Sequence, residues 1–357
     1  MSTAPRRADR LLVALPARLP VLLFWTALVA SLAVLGAAFT PWLVLPVLAG
    51  VVWLTWRLVP EPVPVTRAAV QGAGVALALA LAWLLANAWF AGQVLLVQRD
   101  PGFLTLEGLW LAEHADPDIP LRSAAAVADA IPGAQAISDA FWRGGDVMYA
   151  QGAKAFPALI ALPGWLFGPW GVLLGNLVIG AVALLAVYDL GRRLIDPRWA
   201  LLPVAALALT TPFLYFTRTP FTEPTNVVLT FGGLAVLWGA YRQPRLWPFA
   251  LGGAMLGANA LSRIDGAAVA AGLVLGLGVV AAGTRDPARR RLALLGWVVA
   301  SAAAGLMVLL GYLDVRINSP GYLDEHVWLY QPLIAMLVAC VVAAAAGIAL
   351  CWWTPVG

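Results

Sequence analysis

Charge is what this chain has least of. Asp, Glu, Lys and Arg make up 11% of its 357 residues, against 62% hydrophobic residues and a mean hydropathy of +0.86. Soluble domains carry about 25% charged residues, so the composition excludes an ordinary soluble domain and indicates an integral membrane protein. Lysine is almost missing: of 22 basic residues only Lys154 is one, an arginine- and alanine-rich bias typical of high-GC bacterial genomes. The basic residues are scattered in small clusters between apolar runs, which argues against nucleic acid as a partner. Two histidines far apart, His114 and His326, form no recognisable metal cluster. Cys340 and Cys351 lie in one apolar run, about three helical turns apart, so they share a face but cannot meet. Nucleotide-binding loops are absent as well. The first apolar run is too long for a signal-peptide core, and another follows almost at once.

What the chain has in quantity is apolar runs. A membrane span needs about 20 apolar residues, and that ruler places helices near 19–39, 41–57, 70–97, 169–190, 199–217, 224–241, 247–262, 267–283, 293–312 and 331–353. The expected fold is therefore all-α: one polytopic transmembrane domain over residues 1–357, with about ten helices. The piece "AFPALIALPGWLFG" (155–168), broken by Pro157 and Pro163, reads as interfacial or re-entrant. With the N-terminus inside, one side collects Arg6, Arg7, Arg10, Arg18, Arg57, Arg67, the 192–198 and 242–245 arginines and the Arg285–Arg291 cluster, with few acids. The other side is dominated by acids. That asymmetry fits ten spans with both ends cytoplasmic.

One connection stands apart. Residues 98–168 form a long, acidic extracytoplasmic loop, and loops of that length in compact proteins are usually functional. Within it, Phe103, Leu106, Leu109 and Trp110 recur at helical spacing, which predicts an amphipathic helix lying in the interface. Asp100, just before it, reads either as a helix-start acid or as a general base at the membrane surface. Two more outer positions carry paired charge. "FTRTPFTEPTN" contains Arg218 and Glu223, where Glu223–Pro224 also suits a helix start. "LSRIDGAA" contains Arg263 and Asp265 in a short turn. Ionisable groups near membrane depth are costly unless paired or functional. Arginines at an outer interface, with an acid nearby and a greasy surround, suit a ligand with a phosphate head and a lipid tail. Lys154 either contacts that phosphate or snorkels to the headgroups.

The order of these elements resembles the GT-C superfamily of integral-membrane glycosyltransferases, which includes protein mannosyltransferases and aminoarabinose transferases. "RDPGFLTLEGLWLAEH" is similar to the family's first outer loop, with an Asp near the preceding span. The 149–194 stretch is similar to its "proline, Leu-Phe-Gly, span, Arg-Arg" order, and "TTPFLYFTRTPFTEP" and "LSRIDG" resemble two later motifs. The resemblance covers residues 70 to 283. It implies sugar transfer from a polyprenyl-phosphate carrier to a glycan, lipid or protein acceptor at the outer face of a bacterial cytoplasmic membrane, with inversion at the sugar carbon. Asp100 would be the base and Arg218 the cation at the leaving phosphate. Glu223 would orient that arginine, and Arg263, Asp265, Lys154 and Glu107 are further substrate- or phosphate-binding candidates. No cofactor is expected; part of the superfamily uses a carboxylate-held divalent ion, which is not favoured here.

Three features depart from the pattern. Family members often pair two acids in the first loop, whereas Glu107 is the next acid after Asp100. The loop carries an Ala-rich insertion, and the chain stops at "CWWTPVG" directly after a span, where relatives commonly continue, so a longer parent protein is expected. A transporter or lipid flippase would instead show repeated halves and charges near mid-membrane on broken helices. Neither is visible. A catalytically silent relative is the other alternative.

Overall fold

The structure is a computed structural model that describes residues 6–59, 63–242 and 245–353. Glu61, one of the few acids expected on the arginine-rich side, and the terminal Thr-Pro-Val-Gly lie outside the described residues. The chain is overwhelmingly helical. Its long helices are α1 (Arg7–Leu35), α2 (Pro41–Leu58), α3 (Arg67–Ala88), α7 (Gly164–Leu194), α12 (Gly266–Gly283), α13 (Pro287–Asn318) and α15 (Val327–Trp353). These seven are long and apolar enough to cross a membrane.

Other segments expected as spans are short, broken or less apolar. Residues 199–217 divide into α8 (Leu201–Leu209) and α9 (Thr211–Arg218), bent by 68°. Pro212 explains the break, since it lacks the N–H that a continuing helix needs and fits the first turn of a new one. α10 (Glu223–Ala240) opens with Glu-Pro-Thr-Asn, which lowers its hydropathy, and α11 (Trp247–Gly257) has only 11 residues before a 3₁₀ turn, Ala258–Leu261. The third helix stops at Ala88 rather than near residue 97. Residues 89–97 are apolar but carry no helix; instead Gly92 donates its N–H to the Arg218 carbonyl at 2.6 Å.

Packing sorts the helices into centre and rim. α7 lies against α1, α3 and α10 and is largely buried, whereas α2 and α15 leave most of their apolar length exposed. α11 packs closely on α13, because a Cβ at Gly257 would strike the Ala304 backbone. At one end of the bundle, Asp189 on α7 binds both Arg192 (2.6 Å) and Arg193 (2.7 Å), and Arg192 also donates to the Val13 carbonyl on α1 at 2.7 Å.

At the opposite end, the segment between α3 and α7 builds a small folded cap. α4 (Asp100–Glu113) is not the surface-lying amphipathic helix that the spacing predicts. Phe103, Leu104, Thr105, Glu107, Gly108 and Leu111 are all buried, and the helix packs on α7 and on the wholly buried α6 (Ala155–Ala161). A short helix α5 (Ser123–Ala130) and three short strands complete the cap: β1 (Ile119–Pro120), β2 (Phe141–Gly144) and β3 (Val147–Ala150), all antiparallel with β3 central. The strands correct a purely helical expectation for this loop. They form because Gly145, at φ 67°, starts a two-residue hairpin turn between Trp142-containing and Tyr149-containing segments. α14 (Pro320–Glu325) lies beside the cap and leads into α15.

Candidate functional site

The capped end of the bundle gathers four of the charged residues singled out above. α10 begins at Glu223, and the turn before α12 carries Arg263 and Asp265. Across 40 positions of sequence, Arg263 Nη1 donates to Glu223 Oε1 at 2.6 Å. Its Nε donates to Asp265 Oδ1 at 2.9 Å, while Nη2 reaches Asp265 Oδ2 at a long 3.4 Å. The guanidinium has five N–H donors, so it holds two carboxylates and keeps donors for a further acceptor. Burial opposes the Arg263 charge, but the hydrogen bond and field of Asp265, with Glu223 and Asp100 adding to them, raise its pKa above the usual arginine value.

Asp100 sits at the first turn of α4, where its Oδ1 accepts from Gln151 Nε2 at 3.4 Å. Asp100, Arg263 and Asp265 line one cavity of about 560 Å³ together with Gln151, Thr222 and Tyr322. A second cavity of about 480 Å³ adjoins it, sharing Arg263, Ser262, Gly152 and Tyr322, and runs between apolar side chains of α13 and α15 such as Val308, Leu309, Leu333 and Leu337. A charged mouth thus opens onto a greasy slot. Tyr322 stands where the two meet, and burial, reinforced by the Asp100 and Asp265 charges, pushes its hydroxyl up to about 12.

Arg218 is elsewhere. Its Nε donates to Asn87 Oδ1 at 2.8 Å and its guanidinium covers the Phe90 ring at 4.8 Å, so it ties α9 to the end of α3 and does not line either cavity. Lys154 neither snorkels nor faces these cavities: its side chain is fully buried, with Nζ 2.7 Å from Glu107 Oε1 and 2.7 Å from the Ala150 carbonyl. Its main-chain N–H also donates to Asp314 Oδ2 at 2.7 Å. Burial pushes the Glu107 carboxyl above the usual carboxylate range, and the Lys154 ammonium pulls against that. The Glu107–Lys154 pair is therefore internal to the cap, which the Lys154 amide ties to Asp314 of α13, one residue beyond the cavity-lining Gly152–Ala153.

Sequence reasoning missed Gln151, Ser262, Thr222 and Tyr322. His326, which it noted, touches the site only indirectly, its ring tilted 35° against that of Tyr322 with centroids 4.2 Å apart. Nothing local in the sequence singles out Tyr322; long-range packing of α14 on the cap brings it in. Among the described residues no three His, Cys, Asp or Glu side chains cluster closely enough to hold a metal ion. In comparisons with protein-family profiles, curated proteins and solved structures, this chain matches none.

Proposed function

We propose that this chain is a membrane glycosyltransferase that moves a sugar from a polyprenyl-phosphate carrier to an acceptor hydroxyl. The topology in this reading has ten crossings, counting α8–α9 as one broken span and adding α10 and α11, with the capped end outside the cytoplasmic membrane and the arginine-rich end inside. The single observation that carries the reading is the charged cavity holding Asp100 and Arg263, which adjoins an apolar slot between α13 and α15. That arrangement suits a phosphate head with a long isoprenoid tail. Arg263 replaces Arg218 as the cation of the site, because Arg218 is spent on Asn87 and Phe90.

In the reaction, Asp100 takes the proton from the acceptor hydroxyl as its oxygen bonds to the sugar C1. The C1–O bond to the carrier breaks, and polyprenyl phosphate leaves with the electron pair. Charge gathering on the leaving phosphate is stabilised by the Arg263 donors, which Glu223 and Asp265 hold in place. One displacement inverts the sugar carbon. The test is sugar transfer in membranes containing the full chain, using radiolabelled polyprenyl-phosphate sugars. Incorporation that disappears in Asp100→Asn and in Arg263→Ala at matched expression supports the proposal; transfer from no donor, or full transfer in both variants, rejects it.

A further inference from the structure

A third cavity, of about 370 Å³, lies toward the arginine-rich end of the bundle, among α1, α2, α11 and α13. Small-molecule sites span roughly 300–1,000 Å³, so it has room for one slender ligand. Its wall is aromatic and aliphatic, with Phe24, Trp25, Leu58, Trp247 and Met307 prominent and Thr55 the one hydroxyl among the lining residues. Thr55 is 1% exposed, and its Oγ1 has no hydrogen-bond partner among the described residues. A helical threonine ordinarily gives its hydroxyl to the carbonyl one turn back. Thr26 and Thr217 do so, at 2.7 and 2.6 Å. Thr55 does not; Thr225, in the first turn of α10 and away from this cavity, also lacks a partner among the described residues. A buried hydroxyl without a partner is disfavoured, and here it borders an open apolar volume.

The surroundings supply the second half of the ligand's description. Arg18 closes the end of α2, donating from Nε to the carbonyl of Val59, itself a lining residue, at 3.0 Å, and lying over Trp56 at 4.8 Å. Arg57 is exposed and lies over Trp53 at 5.3 Å. The same end of the bundle carries Arg7 and Arg10 on α1, Arg242 after α10 and Arg245 before α11, and its arginines outnumber the acids Asp9, Asp189, Asp196 and Asp286 among the described residues. A cationic rim outside an apolar pocket with a single inner hydroxyl complements an anionic headgroup, an ester carbonyl and an acyl chain, in that order.

We infer that this cavity is a binding site for an anionic glycerophospholipid of the leaflet at the arginine-rich end: one acyl chain fills the pocket, an ester carbonyl accepts from Thr55 Oγ1, and the phosphate rests on the arginine rim. The site is separate from the capped end and does not depend on the transferase reading. Native mass spectrometry of the purified full chain, titrated with phosphatidylglycerol or with phosphatidylcholine of matched chains, tests it. One phosphatidylglycerol binds at concentrations about tenfold below phosphatidylcholine. Ala303→Leu, which fills the pocket, abolishes that adduct. Thr55→Val, which keeps the side-chain shape, weakens it about fivefold, the size of one hydrogen bond, and Thr55→Ser restores it. The inference is overturned if the two lipids bind alike, if no one-to-one adduct saturates, or if Ala303→Leu and Thr55→Val both retain wild-type binding.

Discussion

The buried pair between Glu107 and Lys154 gives the sharpest quantitative prediction. Both side chains are fully buried and their charged atoms are 2.7 Å apart, so removing either partner strands the other away from water. Breaking such a pair costs about 3–5 kcal/mol. The structure lets that range be split, because neighbouring groups are satisfied without the pair. Asp314 keeps the Lys154 main-chain N–H and Asn318 Nδ2, both at 2.7 Å, and the Ala150 carbonyl keeps Ser319 Oγ at 2.9 Å. The penalty therefore falls on the orphan alone, and is limited by the cost of neutralising it. In Lys154→Met the orphan is a carboxyl that must take up a proton, at about 3.7 kcal/mol from the ordinary glutamate range at pH 7. In Glu107→Leu a buried ammonium must shed one, at about 4.6 kcal/mol from the ordinary lysine range. Glu107→Leu is the worse substitution by roughly 1 kcal/mol, and the double variant Glu107→Leu/Lys154→Met melts above both.

Opposite pH slopes separate this account from a generic packing defect. In Lys154→Met the folded chain binds a proton that the unfolded chain has released, so stability rises by about 1.4 kcal/mol per unit as pH falls from 7 towards 5. In Glu107→Leu the folded chain lacks a proton that the unfolded chain holds, so stability rises as pH increases. In the wild type, burial already lifts the Glu107 carboxyl; its share of stability is complete at low pH and is lost as pH climbs through that raised value. Melting in mild detergent, followed by tryptophan fluorescence at pH 5.5, 7 and 8.5, reads all of this. Equal slopes in the two single variants, or a double variant no better than either, would refute the reasoning.

Other expectations are narrower. Arg263→Lys keeps a charge but loses the fork that holds Glu223 and Asp265, so sugar transfer falls at least tenfold; an unaffected rate removes Arg263 from the site. Arg218→Ala leaves transfer within about threefold while lowering the melting temperature, since it deletes a contact of about 1 kcal/mol to Asn87; loss of transfer in a well-folded Arg218→Ala would return that arginine to the chemistry. Gly257→Leu drives a side chain into the Ala304 backbone and costs at least about 1–3 kcal/mol of overpacking; unchanged melting would contradict the α11–α13 approach. Because Tyr322 is pushed up to about 12, the pH–rate profile shows no inflection from it below pH 10, and its replacement by Phe leaves the profile's shape alone.

Much of the helix layout is readable from apolar runs, because these follow from the cost of placing polar groups in lipid. The ends are harder. Hydropathy counts Trp89 to Val97 as a continuation of α3, although the backbone there leaves the helix and pairs with Arg218 instead. The strands of the cap hide for the same reason: four residues on each side of a Gly-Asp turn are too short to show alternation. At the site, the Glu223, Arg263 and Asp265 turn positions are visible as charges at helix ends. What decides their partners is three-dimensional. Nothing local distinguishes Arg263, which faces a cavity, from Arg218, whose partner Asn87 is 131 residues away.

The bond from the Lys154 amide to Asp314 spans 160 positions, and that separation has a consequence for biosynthesis. At about 5–20 residues per second, α13 is made roughly ten to thirty seconds after the cap has emerged. Glu107 and Lys154 come from the cap itself, so they can neutralise each other during that wait. Asp314 has Asn318 Nδ2 on its own helix at 2.7 Å, but its second oxygen gains the Lys154 amide only when α13 meets the cap, so α13 is expected to dock onto a cap that is already folded. An arrest of translation placed between α12 and α13 should leave a protease-resistant cap on an unfinished bundle.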